Sequence, residues 1–265
     1  MSRPTAMSIF PLALLVILCL AAAPRLAWAE AASGPAVASW TPDPEITARL
    51  ASDPGLLERQ LDLAMRKVLK DPATLTITVT TRDPVARSRG FVDLISVREA
   101  RGNVDNLVLE RADIDFHDVQ LDTTKLVKEE KIDVVQVKNI DMNVTILEAD
   151  LNAFLVAKSK GIKVDNPRVD LQPDKMELQG STRYGFVKVK FWASGGFSIH
   201  DGQEIWFHAR NMKMNNLSMP RAFIGTIVKK INPVLNLKKF PFRLNLKEIR
   251  IEQGAIHFTS SEKEP

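Results

Sequence analysis

Four histidines are the first residues to weigh for chemistry: His117, His200, His208 and His257. Each lies in a different stretch of alternating apolar and polar residues, and none has a His or Cys partner at metal-ligand spacing. His200 and His208 flank a short turn and can meet across a hairpin, but two imidazoles without a third ligand make a poor zinc site. The acids Asp113, Asp115 and Asp118 form an Asp-x-Asp-x-x-Asp run that lacks the glycine and the distal glutamate of a calcium loop. Their spacing is that of a solvated strand face. No G-x-S-x-G elbow occurs, and Ser194-Gly195-Gly196-Phe197-Ser198 reads as a turn. No Walker or dinucleotide glycine pattern occurs either. The residues therefore name no catalytic group, no metal ligand and no cofactor, and a hydrolase has little support.

The start of the chain carries an address. Arg3 precedes an apolar run from Ile9 to Ala23, and Ala27-Trp28-Ala29 ends in the small residues a signal peptidase accepts. Residues 1–29 read as a cleavable signal peptide, which predicts export to the periplasm or cell envelope. The run is short of the roughly 20 apolar residues of a membrane span. Cys19, the one cysteine, leaves with the signal, so the mature chain has no thiol for a disulfide, a metal or a nucleophile. Arg3 and Arg25 leave too. The whole chain carries +4, and the mature part is left with 34 bases against 32 acids. That balance gives no ground for nucleic-acid binding.

The elements that would position any site follow from periodicity. Residues 30–44, rich in Ala, Ser, Gly and Pro, read as a flexible lead-in, 45–260 as a single domain and 261–265 as a tail. Three segments have helical spacing. Pro54–Lys70 places Leu57, Leu61, Met65 and Val68 on one stripe, with Asp53 as cap. Glu148–Lys160 places Leu151, Phe154 and Leu155 together, with Gly161 as a stop. Pro220–Ile231 gathers Phe223, Ile224, Ile227, Val228 and Ile231. Most of the rest alternates with period two, as in Leu75, Ile77 and Val79, in Val187, Val189 and Phe191, and in Phe242, Leu244 and Leu246. Ser194-Gly195-Gly196 and Asp201-Gly202 mark hairpin turns, with bulges expected near Asp118 and Glu248. The expected fold is α+β: a long curved antiparallel sheet packed on two or three amphipathic helices.

One electrostatic feature departs from ordinary composition. From Ile205 to Lys247 there is no acid, and Arg210, Lys213, Arg221, Lys229, Lys230, Lys238, Lys239, Arg243 and Lys247 are all basic. From Asp105 to Asp133 the balance reverses. Basic residues beside an amphipathic helix suit an anionic lipid surface, where each charge adds about 1 kcal/mol. The same helix face would also serve as ordinary core against the sheet.

The opening helix running into Leu75-Thr76-Ile77-Thr78-Val79 is one element of a larger pattern. A second is Val144-Thr145-Ile146-Leu147 running into Glu148-Ala149-Asp150-Leu151-Asn152. The third is Phe240-Pro241-Phe242-Arg243-Leu244 with Glu252-Gln253-Gly254-Ala255-Ile256 near the end. In this order, over roughly residues 50–258, the chain resembles the LmeA family of exported phospholipid-binding proteins. The resemblance implies lipid binding in the cell envelope and a tubular lipid-binding fold, with a curved sheet wrapped around a helix. It transfers no catalytic residue. Facing then nominates Phe154, Leu155, Phe223, Ile227, Val228 and Ile231 for acyl chains, and Lys229, Lys230, Lys238 and Lys239 for the head group. The competing expectation is a non-enzymatic envelope module that binds protein or an anionic glycan.

Overall fold

A computed structural model describes residues 40–104, 106–162, 164–184, 187–221 and 245–260. Between 221 and 245 it describes 224, 225, 228, 229, 232, 233, 235 and 236. The expected signal at residues 1–29, residues 30–39 of the expected lead-in and the expected tail lie outside the described residues.

The helices, in chain order, are α1 (Pro44–Ser52), α2 (Leu56–Val68), α3 (Pro84–Ser88), α4 (Thr123–Glu129) and α5 (Glu148–Ile162). The strands are β1 (Thr74–Thr80), β2 (Phe91–Ala100), β3 (Asn103–Val104), β4 (Leu107–Val108), β5 (Arg111–Leu121), β6 (Val134–Leu147) and β7 (Asp165–Gln172). They continue with β8 (Lys175–Tyr184), β9 (Val187–His200), β10 (Glu204–Met214), β11 (Leu217–Ser218), β12 (Leu235–Asn236), β13 (Glu248–Glu252) and β14 (Ala255–Thr259). The α+β class is as expected, but the sheet is divided. Sheet one has the order β1-β2-β5-β6-β14-β13. Sheet two runs β11-β10-β9-β8-β7, with β12 also on β10. Every pairing is antiparallel.

Local sequence explains the elements. In β1, Leu75, Ile77 and Val79 stand opposite Glu99, Val97 and Ile95 of β2, so one face of the ladder is apolar apart from the buried Glu99. The Asp43 carboxylate accepts from the backbone N–H groups of Glu45 (2.9 Å) and Ile46 (3.3 Å) at the start of α1. Asp122 does the same for α4, accepting from Thr124 and Lys125 at 3.0 Å each. The Asp201-Gly202 turn between β9 and β10 has positive φ at both residues (53° and 67°), which suits a tight hairpin.

Four expectations change. The helix expected over Pro54–Lys70 forms as α2, but its expected cap Asp53 instead closes a preceding helix, α1, and accepts from the Gly55 N–H at 3.1 Å. Gly161 does not stop α5, which runs to Ile162. Ser194-Gly195-Gly196 is no turn but the middle of β9. Gly195 is required there because a Cβ would run into the His208 carbonyl and the Phe207 ring. The strand expected at 242–246 does not include 245, although Leu246 is buried. Near Asp118 the register is irregular as expected: Asp118 has φ 48°, and the slip falls between Gln120 and Leu121.

Apolar faces meet in two main cores. One joins α1, α2 and α4 to sheet one through Ile46, Leu57, Leu61, Val92, Ile95, Val97, Val119 and Leu126. The other lies between the sheets. Ile140, Ile146, Ile256 and Phe258 of sheet one meet Val169, Leu171, Leu178, Phe191, Ile205 and Phe207 of sheet two, with Leu155 of α5 among them. Burying each such side chain is worth about 1.5–3 kcal/mol. A small third cluster seats Ile224 and Val228 on Ala193 and Met212.

Candidate functional site

Sheet two has one apolar and one polar face, and its register aligns the polar one. Arg168 (β7), Gln179 (β8), Trp192 (β9) and Lys213 (β10) stand in one row across four strands. The next row holds Asp165, Ser181 and Lys190, and the one beyond pairs Arg183 with Lys188, with Arg183 3.7 Å from Asp165. The preceding row holds Asp170, Glu177 and Ser194. The polar face therefore changes from acidic to mainly basic within one strand step, with Asp165 the acid beyond it. It could do so only because Val-Lys-Val-Lys-Phe-Trp in β9 alternates strictly.

A cavity of about 1050 Å³ opens over the basic rows. Its wall includes Arg168, Lys188, Lys190 and Lys213, the polar groups of Asn152, Gln179, Ser181 and Asn216, and the apolar Val156, Pro167 and Phe191. None of the described residues that line it is acidic. Val156 is 60% exposed, an apolar rim beside four cations. A second cavity, of about 440 Å³, lies around the β10 edge. It shares Trp192 and Lys213 with the first and adds Arg210 and Arg221.

Trp192 is fixed between the two cavities. Its indole N–H donates to Glu177 Oε2 at 3.1 Å, and Lys213 Nζ sits 5.0 Å from the centre of its ring. Glu177 in turn accepts from Lys175 Nζ at 2.6 Å. The Lys175 bond, helped by Trp192 and the charge of Lys213, holds the Glu177 carboxyl below the usual carboxylate range. The strand ends are tied as well. Lys190 N–H donates to Asn215 Oδ1 at 2.9 Å, and Asn215 N–H donates back to the Lys190 carbonyl at 2.9 Å.

The Glu-Ala-Asp-Leu-Asn segment proves to be a clamp on the other side of this cavity. Asn152 donates to the Val169 carbonyl at 2.8 Å and accepts from its N–H at 2.7 Å, closing the open edge of β7 as a neighbouring strand would. Glu148 accepts from the Leu171 N–H at 2.7 Å. Asp150 takes both arms of Arg101 at 2.6 and 2.9 Å. Asn232 gives the β10 edge the same treatment through the Phe207 main chain, at 2.9 Å in both directions.

The residues nominated from sequence land as follows. Phe154 and Leu155 are 1% and 0% exposed, so protein covers them; Leu155 is part of the core between the sheets. Val228 is half-buried and packs into the small cluster on Ala193 and Met212. Lys229 is exposed and lines neither basic cavity. Phe223, Ile227, Ile231, Lys230, Lys238 and Lys239 lie outside the described residues. Of the basic run after Ile205, Arg210, Lys213 and Arg221 reach the cavities. Arg168, Lys188, Lys190 and Trp192 were not nominated. The readable signal for three of them was the Lys-x-Lys-x-Trp alternation of β9; Arg168 had none.

Elsewhere the chemistry is sparse. His208 Nε2 lies 2.5 Å from Ser198 Oγ on the exposed face, and the His200 and His208 rings are 6.4 Å apart. Among the described residues no three His, Cys, Asp or Glu side chains gather as metal ligands, and no helix is long and apolar enough to cross a membrane. The cavity instead combines cations, hydrogen-bonding groups and apolar wall, the chemistry of a ligand with a phosphate and a hydrocarbon part.

No curated protein and no solved structure matches the chain. A family model described as LmeA-like phospholipid-binding matches residues 54–261, from just before α2 to just past β14. The chain belongs to the LmeA-like phospholipid-binding family.

Proposed function

We propose that the protein is an exported, non-enzymatic phospholipid-binding protein that holds or carries lipid in the periplasm or cell envelope. The observation that carries this reading is the family match over residues 54–261. The amphipathic cavity over sheet two supports it, since its wall offers both cations and apolar surface. The export signal at residues 1–29 supports the location, and the absence of an acid from Ile205 to Lys247 supports attraction to an anionic membrane.

Native mass spectrometry of the mature protein after gentle purification tests the binding. Adducts with phospholipid masses, recovered again in an organic extract, are the expected result. A clean unliganded mass together with no binding to vesicles of any composition would overturn the reading. Expression of the full chain in a bacterial host tests the address: the N-terminus should begin at Glu30, and an intact Met1 on a cytoplasmic product would rule export out.

A further inference from the structure

We infer that the basic cavity over sheet two is the seat of the phospholipid head group, with Arg168, Lys188, Lys190 and Lys213 meeting its phosphate and Trp192 as its floor. The inference rests on the phospholipid-binding reading and assigns it a place.

Three features of the geometry argue for an occupant. The first is charge left uncompensated. Among the described residues, Arg168, Lys188 and Lys190 make no ion pair, although nearby Arg183 lies 3.7 Å from Asp165, whereas many cations around sheet one are paired, as in Arg98–Asp115, Arg101–Asp150, Arg111–Asp113 and Lys138–Asp118. Like charges gathered on adjacent strands repel, so such a group is stabilised by an anion between them. The second is pre-organisation. Glu177 holds the Trp192 indole, Lys213 lies over the ring, and Asn215 fixes the backbone at Lys190. A site whose walls are already placed loses less entropy on binding. The third is neighbourhood. Phe191, Pro167 and the exposed Val156 adjoin the cations, and Leu217, 75% exposed, stands at the end of the same sheet. Free phosphate has no use for that apolar wall; a lipid does.

The same cations set a preference. A head group with its own ammonium, such as choline, brings a positive charge to a positive wall. A head group with net negative charge does not, so net-anionic phospholipid is favoured.

The test is flotation of the mature protein with vesicles of phosphatidylcholine containing or lacking phosphatidylglycerol, with inorganic phosphate as a separate arm. Wild type is expected to prefer the phosphatidylglycerol vesicles. The triple variant Lys188→Gln, Lys190→Gln, Lys213→Gln should lose affinity on the order of a hundredfold, and the triple Lys→Arg variant should retain it. A control triple at paired lysines, Lys67→Gln, Lys128→Gln, Lys138→Gln, should stay within about twofold, because those charges are already neutralised. Unchanged melting temperatures exclude unfolding as the cause. If wild type binds and both Gln triples lose affinity equally, binding follows overall charge and the site assignment fails. If the cavity triple binds as wild type, it also fails. Site-dependent binding of inorganic phosphate without site-dependent vesicle binding would replace the lipid with a free anion. Failure of wild type to bind any vesicle, with no lipid in its extract, would strike the phospholipid reading itself.

Discussion

The polar faces of the two sheets use charge in opposite ways. On sheet one, charges are spent on one another. Arg98 lies 2.8 Å from Asp115 and 3.8 Å from Asp113, Arg111 bonds Asp113 at 2.6 Å, and His117 meets Asp141 at 3.0 Å. The Asp115 bond keeps the Arg98 guanidinium more firmly protonated than usual. On sheet two, Arg168, Lys188 and Lys190 make no ion pair among the described residues, and Asp165, the acid in the Lys190 row, lies 3.7 Å from Arg183 instead. A paired face is electrically quiet to an approaching ion. An unpaired one projects a field and waits for a counter-charge. The difference teaches that the excess of acids read between Asp105 and Asp133 is largely structural, whereas the basic surface is free to bind.

Four outcomes break or sharpen this contrast. Leu155→Ala, in the core that both sheets share, should cost about 3–4 kcal/mol of stability in urea unfolding. A change below about 1 kcal/mol would mean that Leu155 faces a ligand space after all, not core. Asn152→Ala removes both bonds to the Val169 main chain and should cost about 2 kcal/mol. It should also weaken vesicle binding, because β7 carries Arg168 to the cavity. Arg98→Gln should cost about 1 kcal/mol with vesicle binding unchanged, while Lys188→Gln should stay within about 0.5 kcal/mol and reduce binding. The reverse pattern would erase the distinction between the faces.

The smallest effect concerns pH. Glu99 is buried at 3% exposure, and only one of its oxygens has a partner, the Gly102 N–H at 2.7 Å. Burial raises its carboxyl above the ordinary range, against the Gly102 bond, and the charge of Asp113 adds to the rise. The folded state therefore binds this proton more tightly than the unfolded chain does. Its contribution is present in acid and is lost as pH rises through the folded value. Stability of wild type relative to Glu99→Gln should fall across that range. A constant difference between the two from acid to neutral pH would show that Glu99 is not so perturbed.

Much of the architecture was legible in the residues. Alternation located β1, β5, β9 and β10, and the apolar stripe of α2 and the face of α5 were written in their spacing. The short helices α3 and α4 were not, because they span 5 and 7 residues and depend on Asp83 and Asp122 caps more than on periodicity. The glycines of β9 misled, since the same residue that permits a turn also permits close backbone approach inside a sheet. Phe154, Leu155 and Val228 were correctly placed on apolar faces. What covers those faces depends on chain segments far away in sequence.

The sequence by itself determined the antiparallel α+β class and the basic character of the last third. Each of these depends on residue type and local period alone. Tertiary structure decided which cations share a face. Lys188 and Lys190 come from β9, Lys213 from β10 and Arg168 from β7, and only strand register brings them to one cavity. It also decided which acids are silenced, because Arg98 and Asp115 meet across a ladder between residues 17 apart. Periodicity says which way a side chain points; register says what it meets there.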